Sequence, residues 1–109
     1  MVKRFARFEV HRVALDPTRG SEIRKTRPCV IVSPNEMNES LRTVVVAPMT
    51  STIKGYPSRV SVTFGDRSGE IALDQIRAVD KTRLVRRLGS LDEQTAHSAA
   101  STLVEMFTY

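Results

Sequence analysis

The chain has 109 residues, room for one domain around one core and not for a second. With 40% apolar and 27% charged residues and a net charge of +5, it has the make-up of a folded soluble protein, and no apolar run approaches the roughly 20 residues of a membrane helix. The single cysteine, Cys29, excludes an internal disulfide and a cysteine-built zinc site and suits a reducing cytoplasm, while the basic start, Met1 to Arg7, lacks the apolar stretch of a secretory signal.

The first two-thirds read as short strands separated by turn residues. Phe8 to Leu15 is β-like, but its apolar parity slips: Phe8 and Val10 share one face, Val13 and Leu15 the other, as a bulge or a twisted edge strand would give. Asp16 to Glu22 is a loop. Cys29 to Val32 is a continuous apolar run, read as a buried strand that Pro34 and Asn35 end. Thr43 to Ala47 is a second run of that kind, expected to stop at Pro48. After a turn at Gly55-Tyr56-Pro57, Val60, Val62 and Phe64 alternate along the stretch Arg59 to Phe64. Gly65 to Gly69 reads as a hairpin loop and Glu70 to Leu73 as the return strand. Ile76 to Val79 continues that strand, and Leu84 to Leu88 forms one more. At the end, Ser90-Leu91-Asp92-Glu93 has the Ser and Glu of a capping box. Ala96, Ala99, Ala100, Leu103, Val104 and Phe107 then recur on one helical face. The expected fold is mainly β with a C-terminal α-helix: a small, strongly curved sheet or barrel in one domain spanning residues 1–109.

The positive charge is uneven. Residues 1–27 carry eight basic side chains against Glu9, Asp16 and Glu22, and Arg77 to Arg87 holds five against Asp80 alone. Two basic segments on so small a domain suggest a polyanionic partner, nucleic acid above all, with a merely solvated basic surface as the alternative. His11 and His97 are the only histidines, and with one cysteine they offer no metal constellation. Neither a GxxxxGK[ST] phosphate loop nor a GxSxG nucleophile turn occurs. What remains is an arginine and hydroxyls beside strand ends. Arg27 precedes Pro28 and is biased to extended backbone, and Thr50-Ser51-Thr52 follow the expected strand end. Together they suit a phosphate or a phosphorane, since a guanidinium offers planar bidentate donors and a hydroxyl one more. Alternatively, Arg27 is a surface arginine and Thr50-Ser51 an ST-turn.

These pieces resemble the MazF/PemK family of toxin endoribonucleases. Asp16-Pro17-Thr18-Arg19-Gly20-Ser21-Glu22 and Thr26-Arg27-Pro28-Cys29-Val30-Ile31-Val32-Ser33-Pro34 carry the likeness. Ala47-Pro48-Met49-Thr50-Ser51, Lys54-Gly55-Tyr56-Pro57, Ala72-Leu73-Asp74-Gln75-Ile76-Arg77 and Leu88-Gly89-Ser90-Leu91 extend it in order, over roughly Val10 to Phe107. The resemblance implies a compact SH3-like β-barrel, assembled as a homodimer in the cytoplasm. It implies metal-independent cleavage of single-stranded RNA or mRNA at short motifs, with no cofactor, by 2′-hydroxyl attack that leaves a 2′,3′-cyclic phosphate and a 5′-hydroxyl. The implied catalytic residues are Arg27, which stabilises the phosphate charge and assists proton transfer, and Thr50, which holds a phosphate oxygen. Glu22, Ser51, Asp74 and Gln75 are implied on the substrate side. Phosphate contacts that bind substrate are expected from Arg12, Arg19, Arg24, Lys25, Lys54 or Arg86.

The resemblance also implies an antitoxin (MazE-like) whose acidic, largely disordered tail covers the basic groove. The chain departs from the family pattern at Phe8, where Gly is usual, at His11 and Arg12, where large apolar residues are common, and at Leu73, where some members carry arginine. Two other readings stand beside the nuclease: a gyrase poison of the same architecture, like the CcdB toxins, and an RNA-binding relic without activity.

Overall fold

The computed structural model describes residues 4–109; Met1 to Lys3, part of the basic N-terminal segment, lie outside them. Its strands are β1 (Glu9–Ala14), β2 (Thr26–Ile31), β3 (Thr43–Thr50), β4 (Arg59–Phe64), β5 (Arg67–Ala72), β6 (Arg77–Asp80) and β7 (Leu84–Ser90). A short helix, α1 (Asn35–Ser40), joins β2 to β3, and a longer one, α2 (Glu93–Phe107), follows β7. The pairing is antiparallel in the order β4-β5-β3-β2-β1-β7, with β6 also on β3. The sheet curls into a half-barrel, mostly β with its long helix at the C-terminus as expected, and α2 packs chiefly against β4.

Two cores, one on each face of the sheet, explain the continuous apolar runs. Cys29 and Ile31 join Val13, Leu15, Val44, Val46, Val79 and Leu84 in one. Val30 and Val32 join Val10, Ala47, Val60, Val62, Ile71, Leu73 and Ala99 in the other. Burying a Val or Leu side chain contributes about 1.5–3 kcal/mol relative to leaving it exposed, so a strand covered on both faces gains at every position. The same arrangement overturns the edge-strand reading of β1, while the bulge reading finds its counterpart in the pairing with β7. Against β2 its register runs without interruption from Val10↔Val30 to Ala14↔Thr26, and it is an inner strand. The parity slip reflects Val10 entering one core while Val13 and Leu15 enter the other. The irregularities lie in its pairing with β7, where Leu88 and Val85 are skipped by the ladder.

β3 does not stop at Pro48. It pairs with β2 through Val46–Pro48, with β6 through Thr43–Val46 and with β5 through Met49 and Thr50. The Val45 carbonyl accepts from the Val32 amide, so odd-numbered residues of β3 turn their backbone polar groups to β2. Pro48, an even position, faces the other edge between the last β6 partner, Val46, and the first β5 partners. A missing N–H costs no ladder bond there.

Other differences are local. Helix α1 was not expected, because its sequence, NEMNES, lacks an apolar period; buried Asn38 donates to the Ser33 carbonyl at 3.0 Å. The hairpin turn is only Gly65-Asp66, since Phe64 already pairs with Arg67. A 3-10 turn at Leu73–Gln75 separates β5 from β6, so Ile76 to Val79 does not continue the same strand. The cap of α2 is Asp92 instead of Ser90: its Oδ1 accepts from the Thr95 amide at 2.7 Å. Ser90 lies in β7, where its hydroxyl accepts from Arg87. Of the apolar helical face, Ala99 is fully buried, whereas Val104 and Phe107 are 66% and 68% exposed.

Candidate active site

Strand register assembles a groove. β1 and β2 set Arg12 opposite Pro28 and Val13 opposite Arg27. The β2–β3 register, Cys29↔Pro48, carried two residues further brings Arg27 level with Thr50. The β4–β5 hairpin folds over as the far wall. The resulting cavity, about 350 Å³, is lined by Arg12, Arg27, Pro28, Met49, Thr50, Ser51, Val62, Phe64, Arg67, Ser68 and Gly69. Its lining holds three arginines and no carboxylate, over an apolar floor of Met49, Val62 and Phe64.

The polar groups in this groove are oriented but not consumed. Arg27 donates from Nε to the Arg24 carbonyl at 2.8 Å, which fixes the guanidinium, and among the described residues its two Nη groups meet no acceptor. The side chains of Arg12 and Arg67 make no hydrogen bond or ion pair among the described residues. The Thr50 hydroxyl accepts from the Thr52 amide at 3.2 Å, an ST-turn that leaves its own proton free to donate. The ST-turn is therefore present, and it does not use the hydroxyl proton that a phosphate contact would need. Cys29, beneath Arg27, donates its thiol to the Arg27 carbonyl at 3.6 Å. Burial pushes that thiol up to about 12, against the smaller opposing effect of Arg77 and Arg27, so it is not a nucleophile.

Glu22, Asp74 and Gln75 lie elsewhere, in the lining of a second cavity of about 400 Å³ with Leu15, Ser21, Ile23, Pro48, Ile76 and Arg77. Gln75 straps the first loop: its Oε1 accepts from the Ile23 amide at 2.8 Å and its Nε2 donates to the Ser21 carbonyl at 3.4 Å. Glu22 accepts from the Arg19 amide inside that loop. Asp74 is gripped by Arg59, at 2.7 Å through Nε and 3.2 Å through Nη2, and by the Ser58 hydroxyl at 2.9 Å. The Arg59 bond holds the Asp74 carboxyl below its ordinary value, with burial opposing. Arg19, Arg24, Lys25 and Lys54 are exposed and line neither cavity.

Part of the second basic segment is structural. Arg77 donates to the Leu15 carbonyl, and Arg83 to the Ala14 and Asp16 carbonyls, so both brace the first loop. Arg86 stays exposed, directly opposite Arg12 in the β1–β7 ladder. His11 is buried, its Nε2 3.0 Å from Glu9, which also takes a 2.9 Å bond from Arg87. Burial is the largest influence on Glu9 and raises it, but His11, the Ala6 amide and Arg87 together bring its carboxyl below the ordinary value. His97 is exposed on α2, 3.8 Å from Glu93. Leu73 is fully buried in the second core.

Reading by motif passed over Arg67, Gly69, Arg59 and Glu70. One signal was available: with Val60, Val62 and Phe64 facing the core, Arg59 turns the other way. Among the described residues no group of three or more His, Cys, Asp or Glu side chains is placed to hold a metal ion.

The chain matches, over residues 6–107, the family model described as PemK-like, MazF-like toxin of type II toxin-antitoxin system. It is 34% identical over 93 residues to the endoribonuclease MazF9 of Mycobacterium tuberculosis, covering 76% of this chain and 79% of that protein. To the endoribonuclease toxin MazF of Escherichia coli K12 it is 36% identical over 67 residues, covering 62% of this chain and only 60% of the relative's length. Among solved structures, an endoribonuclease in complex with its cognate antitoxin from a mycobacterial species superposes with a TM-score of 0.80 at 24% identity, covering 95% of this chain and 97% of that one.

Proposed function

The chain belongs to the PemK-like, MazF-like toxins of type II toxin–antitoxin systems, and from that premise we propose that it is an endoribonuclease acting on single-stranded RNA, mRNA included, in the cytoplasm. The observation that carries the reading is the groove in which Arg27 and Thr50 meet with unspent donors and no competing carboxylate. A ribose 2′-hydroxyl attacks the adjacent phosphorus. The O2′–P bond forms, the P–O5′ bond breaks, the 2′ proton leaves, and the departing 5′ oxygen takes one up. The products are a 2′,3′-cyclic phosphate and a 5′-hydroxyl.

Arg27 presents its two Nη groups to the equatorial oxygens as charge builds there, and a guanidinium that stays charged suits the acid side of the proton traffic better than the base side. Thr50 donates its hydroxyl proton to a phosphate oxygen, with Ser51 beside it. Arg12 and Arg67 attract the neighbouring phosphates. Among the described residues no helix is long and apolar enough to cross a membrane.

Two partners follow. An acidic antitoxin segment complements the same arginine-lined groove, and the complex of the mycobacterial relative with its cognate antitoxin supports that reading. A second copy of the chain covers the apolar end of α2, where Val104 and Phe107 are bare.

The deciding experiment incubates end-labelled single-stranded RNA with the protein and with Arg27→Ala in EDTA, with thermal denaturation of both. Cleavage at few sites, leaving 5′-hydroxyl ends and lost in a folded variant, is expected. Intact RNA with the native protein would overturn the reading and turn attention to supercoiling by gyrase.

A further inference from the structure

We propose that Glu70 is the positioning residue of the groove, clamping the segment Thr50–Lys54 at both ends and so fixing the hydroxyls of Thr50 and Ser51. The inference rests on the endoribonuclease reading and deepens it. At one end, the backbone of Glu70 is the ladder partner of Thr50 between β5 and β3. At the other, its carboxylate takes the loop's amides one per oxygen: Lys54 N–H on Oε1 and Gly55 N–H on Oε2, each at 3.0 Å. One residue thus closes a short loop whose first two members carry two of the groove's hydroxyls.

The clamp is built to keep its charge. Arg59 donates from Nη1 to Glu70 at 3.2 Å, and the two side chains are only 7% and 4% exposed. The rest of the Arg59 fork is spent on Asp74, so the guanidinium cannot swing away. The Lys54 amide first, then the Gly55 amide and Arg59, hold the Glu70 carboxyl below its ordinary value, although burial opposes them. It is therefore an acceptor on both oxygens at neutral pH, as two loop amides require. Backbone bonds from Arg59 to Tyr56 and from Leu73 to Ser58 complete the anchoring of the loop's second half.

Between the clamped ends the segment has little support of its own. Ser51, Thr52 and Ile53 are exposed, and among the described residues the bond from the Thr52 amide to Thr50 is the one hydrogen bond they make. An ion pair serving stability alone has no need to reach loop amides. This one reaches the two that set where the segment ends.

Glu70→Gln tests the idea, because its shape is kept while one amide acceptor becomes a donor facing an N–H. Three readouts are taken on the full chain: hydrogen exchange at the Lys54 and Gly55 amides, thermal denaturation, and RNA cleavage. Exchange at both amides is expected to rise at least about tenfold, and kcat to fall about 10- to 100-fold with KM little changed, since small misplacements of reacting groups carry costs of that size. In a Thr50→Val background, Glu70→Gln should cost nothing further in residual single-turnover cleavage. An undiminished kcat, or the same loss with and without Thr50, would overturn the proposal. Should Glu70→Gln fail to fold, Glu70→Asp keeps the charge for Arg59 but falls a methylene short of the amides, and the same readouts decide. If the native protein cleaves no RNA, the nuclease reading fails, and the exchange rates still decide whether Glu70 holds the loop.

Discussion

Gly69 lies directly against the backbone of Thr50: a Cβ at position 69 would stand 2.3 Å from the Thr50 carbonyl oxygen and 3.4 Å from the Ser51 Cα. The backbone of Gly69 is not left-handed, so the need for glycine is steric alone. Because the obstructing atom belongs to the main chain, it cannot rotate out of the way. Gly69→Ala should push the end of β3 off β5, destabilise by about 1–3 kcal/mol as overpacking does, and lower cleavage more than it lowers RNA binding. Denaturant unfolding and single-turnover kinetics check both parts; a fully active, fully stable Gly69→Ala would refute the close approach.

Phe8 has φ +69 and occupies a left-handed conformation that favours glycine. The backbone at this position thus has the shape that the glycine expected there would favour, although the residue is Phe. Phe8 is retained by packing on the second core and by the Arg7 guanidinium 4.8 Å over its ring. Removing the ring isolates the backbone effect. Phe8→Gly should be more stable than Phe8→Ala by about 1 kcal/mol, the left-handed penalty of an L-residue. Equal stabilities in urea would show that the strain is absent.

Asp74 and Glu70 both titrate below their ordinary values in the folded protein, Asp74 chiefly through Arg59 and Glu70 chiefly through the Lys54 amide. Lowered folded-state values stabilise above the unfolded-state range and lose that contribution as pH falls through the folded-state values. Thermal stability should therefore hold from neutral pH down to about pH 5 and decline below about pH 4, the ordinary carboxylate range. Asp74→Asn should remove about 1 kcal/mol at neutral pH, as loss of a partly exposed pair does, and make the acid decline shallower. A decline equally steep in the variant would assign it to other groups.

Arg12 and Arg86 face each other across β1 and β7 without a carboxylate partner among the described residues, a like-charge juxtaposition that an anion relieves. On the nuclease reading, Arg12→Ala and Arg86→Ala should each weaken RNA binding and reduce the slope of log K against log salt by about 1. Arg87→Ala, whose guanidinium is held by Glu9, should leave the slope nearly unchanged. Binding titrations between low and moderate salt distinguish these outcomes.

Much of the architecture was legible because apolar pattern and burial agree. Val60, Val62 and Phe64 alternate on a strand covered on its inner face, and its observed bounds are those expected. The runs at Cys29 and Val44 read correctly as buried strands, but no local rule could say that they serve two cores. Helix α1 and the Asp92 cap escaped because each depends on a few polar atoms and has no periodic signal. At the site, Arg27 and Thr50 were visible through motifs, and register brings them to one groove. Arg67, Gly69 and Glu70 were not, because their roles arise when a hairpin about twenty residues downstream folds over Thr50. Asp74 shows the converse limit: the residue type suits substrate contact, but Arg59 and Ser58 occupy its oxygens.

Pro48 bears on how the chain avoids misfolding. A strand buried on one face only is held in place by its alternation, since a one-residue slip would turn its apolar side chains to water. Val44 to Ala47 has no such protection, for a slipped β3 would still offer a valine or alanine to nearly every position. Pro48 supplies what the pattern lacks. Moved one residue along the strand, its missing N–H would fall opposite a β2 acceptor, and moved two, opposite one of β5 or β6, leaving that carbonyl unbonded within the sheet. A residue usually regarded as a strand breaker thereby acts as the tooth that sets β3 against its three neighbours, and through β3 the level at which Arg27 and Thr50 meet.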